Sequence, residues 1–225
     1  MPTWIKSYDL ASGSYEQLAR IYSNDKIRLS KLAQVDWMEP GSRVLYLGCG
    51  TGDEVVRAAQ NGLEVTAIDL SSRMLARLAK RIEPLGLDIR LIEVDAFEFK
   101  EFQSFDYVAA NFFFNIFNRE SLPDILQHAI KLVKPGGGLL IAEIALPQGS
   151  LPGKIVNWTY INSVQFFSSM IGLVKLHRNH NYVELLSGYG WHLCNSEHFR
   201  VVNFGPVMFE TLMFRKQQGM QTFKS

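Results

Sequence analysis

Short apolar runs alternate with stretches of helical period along the middle of this chain. Val44–Leu47 ends at Gly48, Glu64–Ile68 at Asp69, Ile89–Val94 at Asp95 and Phe105–Ala110 at Asn111. A fifth run, Leu139–Ile144, follows a break at Lys134-Pro135-Gly136-Gly137-Gly138. Between the runs, Asp53–Asn61 and Ser121–Val133 repeat apolar residues at helical spacing. So does a segment opened by Ser71 or Ser72 and carried by Met74, Leu75, Leu78 and Ile82. This alternation predicts an α/β fold, a mostly parallel sheet with helices on both faces and right-handed crossovers. Near the C-terminus only Phe204-Gly205-Pro206 joins Trp191–Asn203 to Val207–Arg215, too little for a crossover, so an antiparallel hairpin should close the sheet edge. The whole reads as a single domain over 1–225, with a helical head at 1–40 and a helical cap at 147–190 inserted after the fifth strand.

A chain of 225 residues that is 47% apolar and 12% aromatic can bury a full core, which excludes disorder as a global description. Twenty-three basic against 22 acidic side chains give a net charge of +1, with no electrostatic footprint for nucleic acid. Pro147–Ser225 carries seven basic residues against three acids, which reads either as an ordinary solvated face or as a cationic rim near an anionic ligand or lipid surface. Cys49 and Cys194 stand alone, so no disulfide framework and no metal cluster is expected, and a cytoplasmic setting is the default. Met1–Ser7 is not a basic segment followed by an apolar core, so no signal peptide is expected. Ile155–Val174 is 20 residues without a charge, but Asn157, Thr159, Asn162, Ser163, Gln165, Ser168 and Ser169 make it a better cap than a membrane span. Peripheral membrane contact stays open, and oligomeric state is not legible.

The most informative residues are Gly48-Cys49-Gly50-Thr51-Gly52, directly after an apolar strand and directly before a helix. Glycine permits positive φ and close backbone approach to a ligand, and a helix start offers unpaired N–H groups. Asp69 lies 17 positions beyond Gly52, close to the spacing at which a carboxylate meets ribose hydroxyls; capping the helix at Ser71 is the compatible alternative. Asp95, at the next strand end, can accept from an adenine amine or cap a short turn at Ala96–Phe99.

At these residues the chain resembles the class I S-adenosylmethionine-dependent methyltransferases, of Rossmann-like fold with a seven-stranded sheet. The glycine run matches their first motif, Ile68-Asp69-Leu70-Ser71-Ser72-Arg73-Met74-Leu75 their second-strand segment and Val94-Asp95-Ala96 their adenine segment. The spacing Gly48-x-Gly50-x-Gly52 differs from the Gly-x-Gly-x-x-Gly of nicotinamide dehydrogenases. The head, with Tyr8-Asp9 and Tyr15-Glu16, resembles the small-molecule branch that includes the quinone-biosynthesis methyltransferases. The resemblance implies S-adenosylmethionine as cofactor, held by Tyr15, Tyr46, Gly48, Cys49, Gly50, Gly52, Asp69, Leu70, Met74, Asp95, Ala96 and Asn111. It implies a hydrophobic, aromatic or quinone-like small-molecule substrate methylated at carbon or oxygen.

The chain departs from the pattern at Tyr46, where the family carries an acid, and a lost charge-assisted hydrogen bond costs about 1.5–3 kcal/mol unless replaced. Two alternatives follow: a fold that uses the cofactor for a non-methylating reaction, or a non-catalytic cofactor-binding regulator. On the substrate side, Asn111-Phe112-Phe113-Phe114-Asn115-Ile116-Phe117 lacks the prolines of the Asn-Pro-Pro-Tyr type. Its phenylalanines read as an apolar substrate wall or as packing under the next helix. Trp158, Tyr160, Phe166, Phe167 and Met170 could line the cap. His177, His180 and Tyr15 are the candidates for a catalytic role; the two histidines read as well as an exposed turn.

Overall fold

Strands β1 (Arg43–Leu47), β2 (Glu64–Asp69), β3 (Ile89–Glu93), β4 (Phe105–Asn111), β5 (Val133–Ile144), β6 (Trp191–Arg200) and β7 (Val207–Lys216) form one seven-stranded sheet. The structure is a computed structural model that describes residues 20–147, 151, 153, 155–159, 162 and 180–217. The strand order is β3-β2-β1-β4-β5-β7-β6. The first five strands are parallel, and β7 runs antiparallel between β5 and β6. The order turns back between β1 and β4, so the carboxyl ends of these two strands flank the switch point at which such sheets bind ligands.

The helices are α1 (Lys26–Ala33), α2 (Asp53–Gln60), α3 (Ser72–Ile82), α4 (Leu122–Leu132) and the short α5 (Tyr182–Ser187). Residues on alternate sides of β1 feed different cores, as the two-residue side-chain period of a strand demands. Val44 and Tyr46 meet Val55, Leu75 and Leu78 of α2 and α3 on one face. Leu45 and Leu47 join Val108, Ile141 and the Ile125, Leu126 and Ala129 of α4 on the other. Each fully buried large apolar side chain contributes about 1.5–3 kcal/mol. Ser71 caps α3, its hydroxyl accepting from the Met74 N–H at 3.2 Å, and Met74, Leu75, Leu78 and Ile82 form the buried stripe.

Two strand ends differ from the sequence reading. β3 stops at Glu93, so Asp95 lies in the turn beyond it. β5 begins at Val133, but its pairing with β4 jumps from Phe105–Val133 to Tyr107–Gly138, so the glycine-rich stretch bulges out of register, with Gly136 at φ of 82°. A Cβ at Gly137 would stand 2.5 Å from the Asp106 carbonyl oxygen, so the missing side chain is what lets the strand lie alongside β4 there. Lys134 fastens the same place through Asp106 at 2.9 and 3.1 Å, and Asp106 also accepts from the Arg43 N–H at 2.8 Å.

Residues 20–23 are helical ahead of α1, and 34–37 form a 3-10 turn after it; the rest of the expected head lies outside the described residues. In the region expected as cap, 155–159 are helical, and the Asn157 amide donates to the Val207 carbonyl at 2.6 Å. Among the described residues no helix is long and apolar enough to cross a membrane.

Candidate active site

The glycine loop is shaped by its backbone. Gly48, Gly50 and Gly52 adopt φ of 64°, 51° and 68°, where side-chain-bearing residues are strained. The N–H groups of Gly48 and Cys49 both donate to the Ile68 carbonyl, at 2.9 and 3.1 Å, tying the loop to β2. A Cβ at Gly48 would stand 2.6 Å from the Phe113 ring, and one at Gly52 2.9 Å from Leu78. At Gly50 a Cβ would meet nothing within 4 Å, so the loop's middle faces open space.

Asp69 stands across from it at the tip of β2. One carboxylate oxygen accepts from the Gly50 N–H and the other from the Ser71 N–H, each at 2.9 Å. The residue thus fixes the loop and supports the start of α3 at once. A carboxylate oxygen accepts more than one hydrogen bond, so this geometry is compatible with a ligand hydroxyl.

Tyr46 is 2% exposed and points into the core with α2 and α3. Its hydroxyl reaches the Glu54 carbonyl at 3.5 Å, a long contact, and burial followed by the charge of Glu54 raises its pKa. The carboxylate that the sequence lacks at position 46 has a neighbour in Glu54, which the sequence reading missed. Glu54 lies in the first turn of α2 and is 2% exposed; it pairs with Lys31 of α1 at 2.9 Å. The Asn111 amide donates to it at 3.5 Å, while the Asn111 carbonyl oxygen accepts from the Ala142 N–H at 3.1 Å. Next to Glu54, Asp53 is bridged by Arg20, Arg28 and Arg81. Burial pulls its carboxyl up, but the Arg81 hydrogen bond and the surrounding cations hold it below the usual range. A depression of about 530 Å³ beside the loop is lined by Arg20, Thr51, Asp53, Arg77, Lys80 and Arg81. Its cations come from outside Pro147–Ser225.

The tips of β1, β2 and β4 therefore gather Tyr46, Gly48, Cys49, Gly50, Gly52, Asp69 and Asn111. Cys49 is buried, and burial, then the charges of Asp69 and Glu54, push its thiol far up, so it packs and does not react. Leu70 is half-buried, and Met74 is wholly buried on α3. Asp95 is exposed and accepts from the Phe97 N–H at 2.9 Å, the turn-capping arrangement; Ala96 leans on the apolar core. No described contact links Asp95 to the loop. Tyr15 and His177 lie outside the described residues, as do Tyr160, Phe166, Phe167 and Met170.

The phenylalanine run divides its duties. Phe113 closes over Gly48, Phe114 is fully buried against Tyr182, and Phe112 meets Phe209. Phe112 has φ of 50°, costly for a bulky side chain, by which the chain turns at the tip of β4. Just beyond, a second buried cluster occupies the ends of β5 and β7. Glu143 is 1% exposed, and one of its oxygens accepts from the Asn115 amide and the Ile144 N–H, both at 3.0 Å. The Tyr182 hydroxyl lies 3.5 Å from the other. Burial, with the charge of Glu210 adding to it, pushes the Glu143 carboxyl up to about 7 against these hydrogen bonds. Burial likewise pushes Glu210 up to about 7. His180 sits against Tyr182, ring centroids 6.1 Å apart, which brings one predicted catalytic histidine beside this cluster. Glu143 and Glu210 are absent from the sequence expectations; the available signal was a lone acid inside each of two apolar strands. Among the described residues no group of histidines, cysteines and acids could hold a metal ion.

Residues 44–137 match the family described as methyltransferase domain. Over 155 residues the chain is 30% identical to the ubiquinone/menaquinone biosynthesis C-methyltransferase of Cereibacter sphaeroides. The match takes in 66% of this chain and 60% of that relative, so the chain spans about 60% of the relative's length. It is 34% identical over 119 residues to the demethylmenaquinone methyltransferase of Bacillus cytotoxicus, covering 49% of this chain and 48% of that one. In fold it is similar to the 1,6-didemethyltoxoflavin-N1-methyltransferase of Burkholderia thailandensis, solved with 1,6-didemethyltoxoflavin and S-adenosylhomocysteine. That match has a TM-score of 0.69 at 16% identity and covers 95% of this chain and 88% of that one. Residues 44–137 thus match the methyltransferase-domain family, in a chain that resembles the class I S-adenosylmethionine-dependent methyltransferases and, among them, the enzymes of quinone biosynthesis.

Proposed function

We propose that the chain transfers a methyl group from S-adenosylmethionine to carbon or oxygen of a hydrophobic, aromatic, quinol-like small molecule. The observation that carries this reading is the glycine loop, with open space at Gly50 and the Asp69 carboxylate bonded to the Gly50 N–H. The donor set fits an adenosyl amino-acid cofactor. Loop amides and a helix start suit its carboxylate, a strand-end carboxylate suits its ribose hydroxyls, and buried Glu54 beside Asn111 suits its ammonium. When bound, this cofactor supplies a methyl group already activated on a sulfonium. The protein's share is orientation, holding the acceptor in line with the methyl and excluding water.

The acceptor's apolar character rests on Phe112, Phe113 and Phe117 at the tip of β4, and its quinol-like class on the relatives' substrates. Fold alone does not assign a reaction. An adenine role for Asp95 would use the lone pairs that its bond from the Phe97 N–H leaves free.

Calorimetric titration with S-adenosylhomocysteine, followed by S-adenosylmethionine with 1,4-naphthohydroquinone, tests the reading. Micromolar binding of the first and release of S-adenosylhomocysteine in the second are expected. Absence of binding to either nucleoside would end it.

A further inference from the structure

Three titratable side chains stand in register across three neighbouring strands. Glu143 of β5 lies directly opposite Glu210 of β7, and Glu210 directly opposite His198 of β6. Cross-strand partners share one face of a sheet, so the three form a single row. The row grades from dry to wet. Glu143 is 1% exposed and Glu210 9%, whereas the His198 side chain is 41% exposed and brings Nε2 within 3.5 Å of the Glu210 carboxylate. The inner end is the penultimate residue of β5, at the carboxyl edge of the parallel sheet where the acceptor would lie.

From this row we infer that Glu143 takes the proton released by the methyl acceptor and that Glu210 and His198 carry it to water. The inference rests on the methyl-transfer reading above. An acceptor that gains a methyl group loses a proton. Its O–H or C–H bond breaks, and the proton ends on a carboxylate oxygen of Glu143. For an oxygen acceptor the electron pair left on oxygen forms the new bond to the methyl carbon; for a ring carbon a π pair forms it and the C–H pair returns to the ring as the proton leaves. In both cases sulfur keeps the pair of the bond it gives up. Glu143 then passes its proton to the Glu210 carboxylate, and Glu210 to His198 Nε2 and solvent, which returns Glu143 to its ionised form.

The surroundings suit this use. Asn115 and the Ile144 N–H donate to one Glu143 oxygen, which orients the carboxyl while leaving the other turned to the Tyr182 hydroxyl. The groups facing the pair are Asn115 after β4, Tyr182 of α5 with His180 beside it, and His198 of β6. Two carboxyls held near neutrality are matched to exchanging a proton with each other and with imidazole.

Two measurements on the full chain test the row. In the first, the side-chain carboxyl carbons are titrated by NMR without ligand. Glu143 should titrate near neutrality, and its midpoint should fall in Glu210→Gln, which removes the facing charge. A midpoint that does not move, or a Glu143 that titrates like a solvated carboxyl, overturns the inference whatever the substrate. In the second, turnover is followed in weak buffer with S-adenosylmethionine and 1,4-naphthohydroquinone. Glu143→Gln should lower kcat about 100-fold with little change in either KM. His198→Ala should lower it about tenfold, and added imidazole should restore the rate in that variant alone. Wild-type kcat in Glu143→Gln, or a His198→Ala rate indifferent to imidazole, overturns the proposal. A chain that binds no cofactor defeats the methyl-transfer reading instead, and the carboxyl titration then still judges the row.

Discussion

The two ends of the crevice are built from different materials. Around β1 and β2 the polar work falls to the backbone: amides of the loop, three left-handed glycines and one strand-end carboxylate that holds them. Around β5 and β7 it falls to buried side chains, two carboxyls facing each other with an amide and a phenol attached. The first arrangement keeps its charge half-exposed and lets helix and loop amides share it. The second removes two carboxyls from water with few donors, and burial raises both toward neutrality. A site of the first kind recognises a ligand common to many reactions. One of the second kind stores the capacity to take up a proton, and it is costly to maintain.

Substitutions break this comparison at different strengths. The largest effect is expected of Tyr46→Asp, which would place an acid at the usual family position. Because Tyr46 lies wholly in the core, the change leaves a cavity and a buried charge and should cost about 4 kcal/mol in urea unfolding. A neutral outcome would mean that the core opens at this point.

Next comes the pH dependence of the acid pair. A carboxyl whose folded pKa is raised from 4.5 to about 7 favours the fold while protonated, so stability falls as pH climbs through that window. At 1.36 kcal/mol per unit the loss is about 3 kcal/mol by pH 8. Glu143→Gln should therefore be more stable than the wild type in thermal unfolding near pH 8 and about equal near pH 4. An equal difference at both values would show that burial does not govern this residue.

At the backbone end, Gly50→Ala strains φ by about 1 kcal/mol but meets no protein atom. Its stability should change little while affinity for S-adenosylhomocysteine drops about 100-fold, or roughly 2.7 kcal/mol. Gly48→Ala is the contrast, because its Cβ strikes Phe113 and unfolding should register it first. Asp69→Asn keeps the shape and weakens charge-assisted bonds, so a loss of about 1.5 kcal/mol in calorimetric affinity is expected. Smallest of all, Tyr46→Phe removes a hydroxyl whose contact is 3.5 Å long, and stability should shift by less than about 1 kcal/mol.

The same division decides what could be read from the letters alone. Glycine after an apolar strand, and an acid at the end of the next one, are local signals, and they locate the loop and Asp69 correctly. Strand–helix alternation makes the mostly parallel sheet legible, and the short Phe204–Pro206 link its closing hairpin, whereas the order of the strands comes from the structure. Asp95 stands two residues beyond the end of β3, and its side chain accepts from the Phe97 amide, the turn-capping alternative that the sequence offered beside an adenine contact. The meeting of Glu143 with Glu210 depends on antiparallel register between residues 67 positions apart, which no local pattern encodes. The Lys134–Gly138 break is present as a register irregularity near the start of β5 and not as a gap before it, and glycine also serves there because the strand passes close to its neighbour's backbone.

Lys31 and Arg28 join α1 to the first turn of α2 through Glu54 at 2.9 Å and Asp53 at 3.0 Å. The Lys31–Glu54 pair is the more deeply buried of the two, and removing one partner of such a pair costs about 3–5 kcal/mol, whereas Arg28 is 39% exposed and its pair contributes less. Helix α1 is thus fastened to the piece of chain that frames the loop, and any torque on one is felt by the other. A label on α1 would therefore report on the loop's state without touching the crevice.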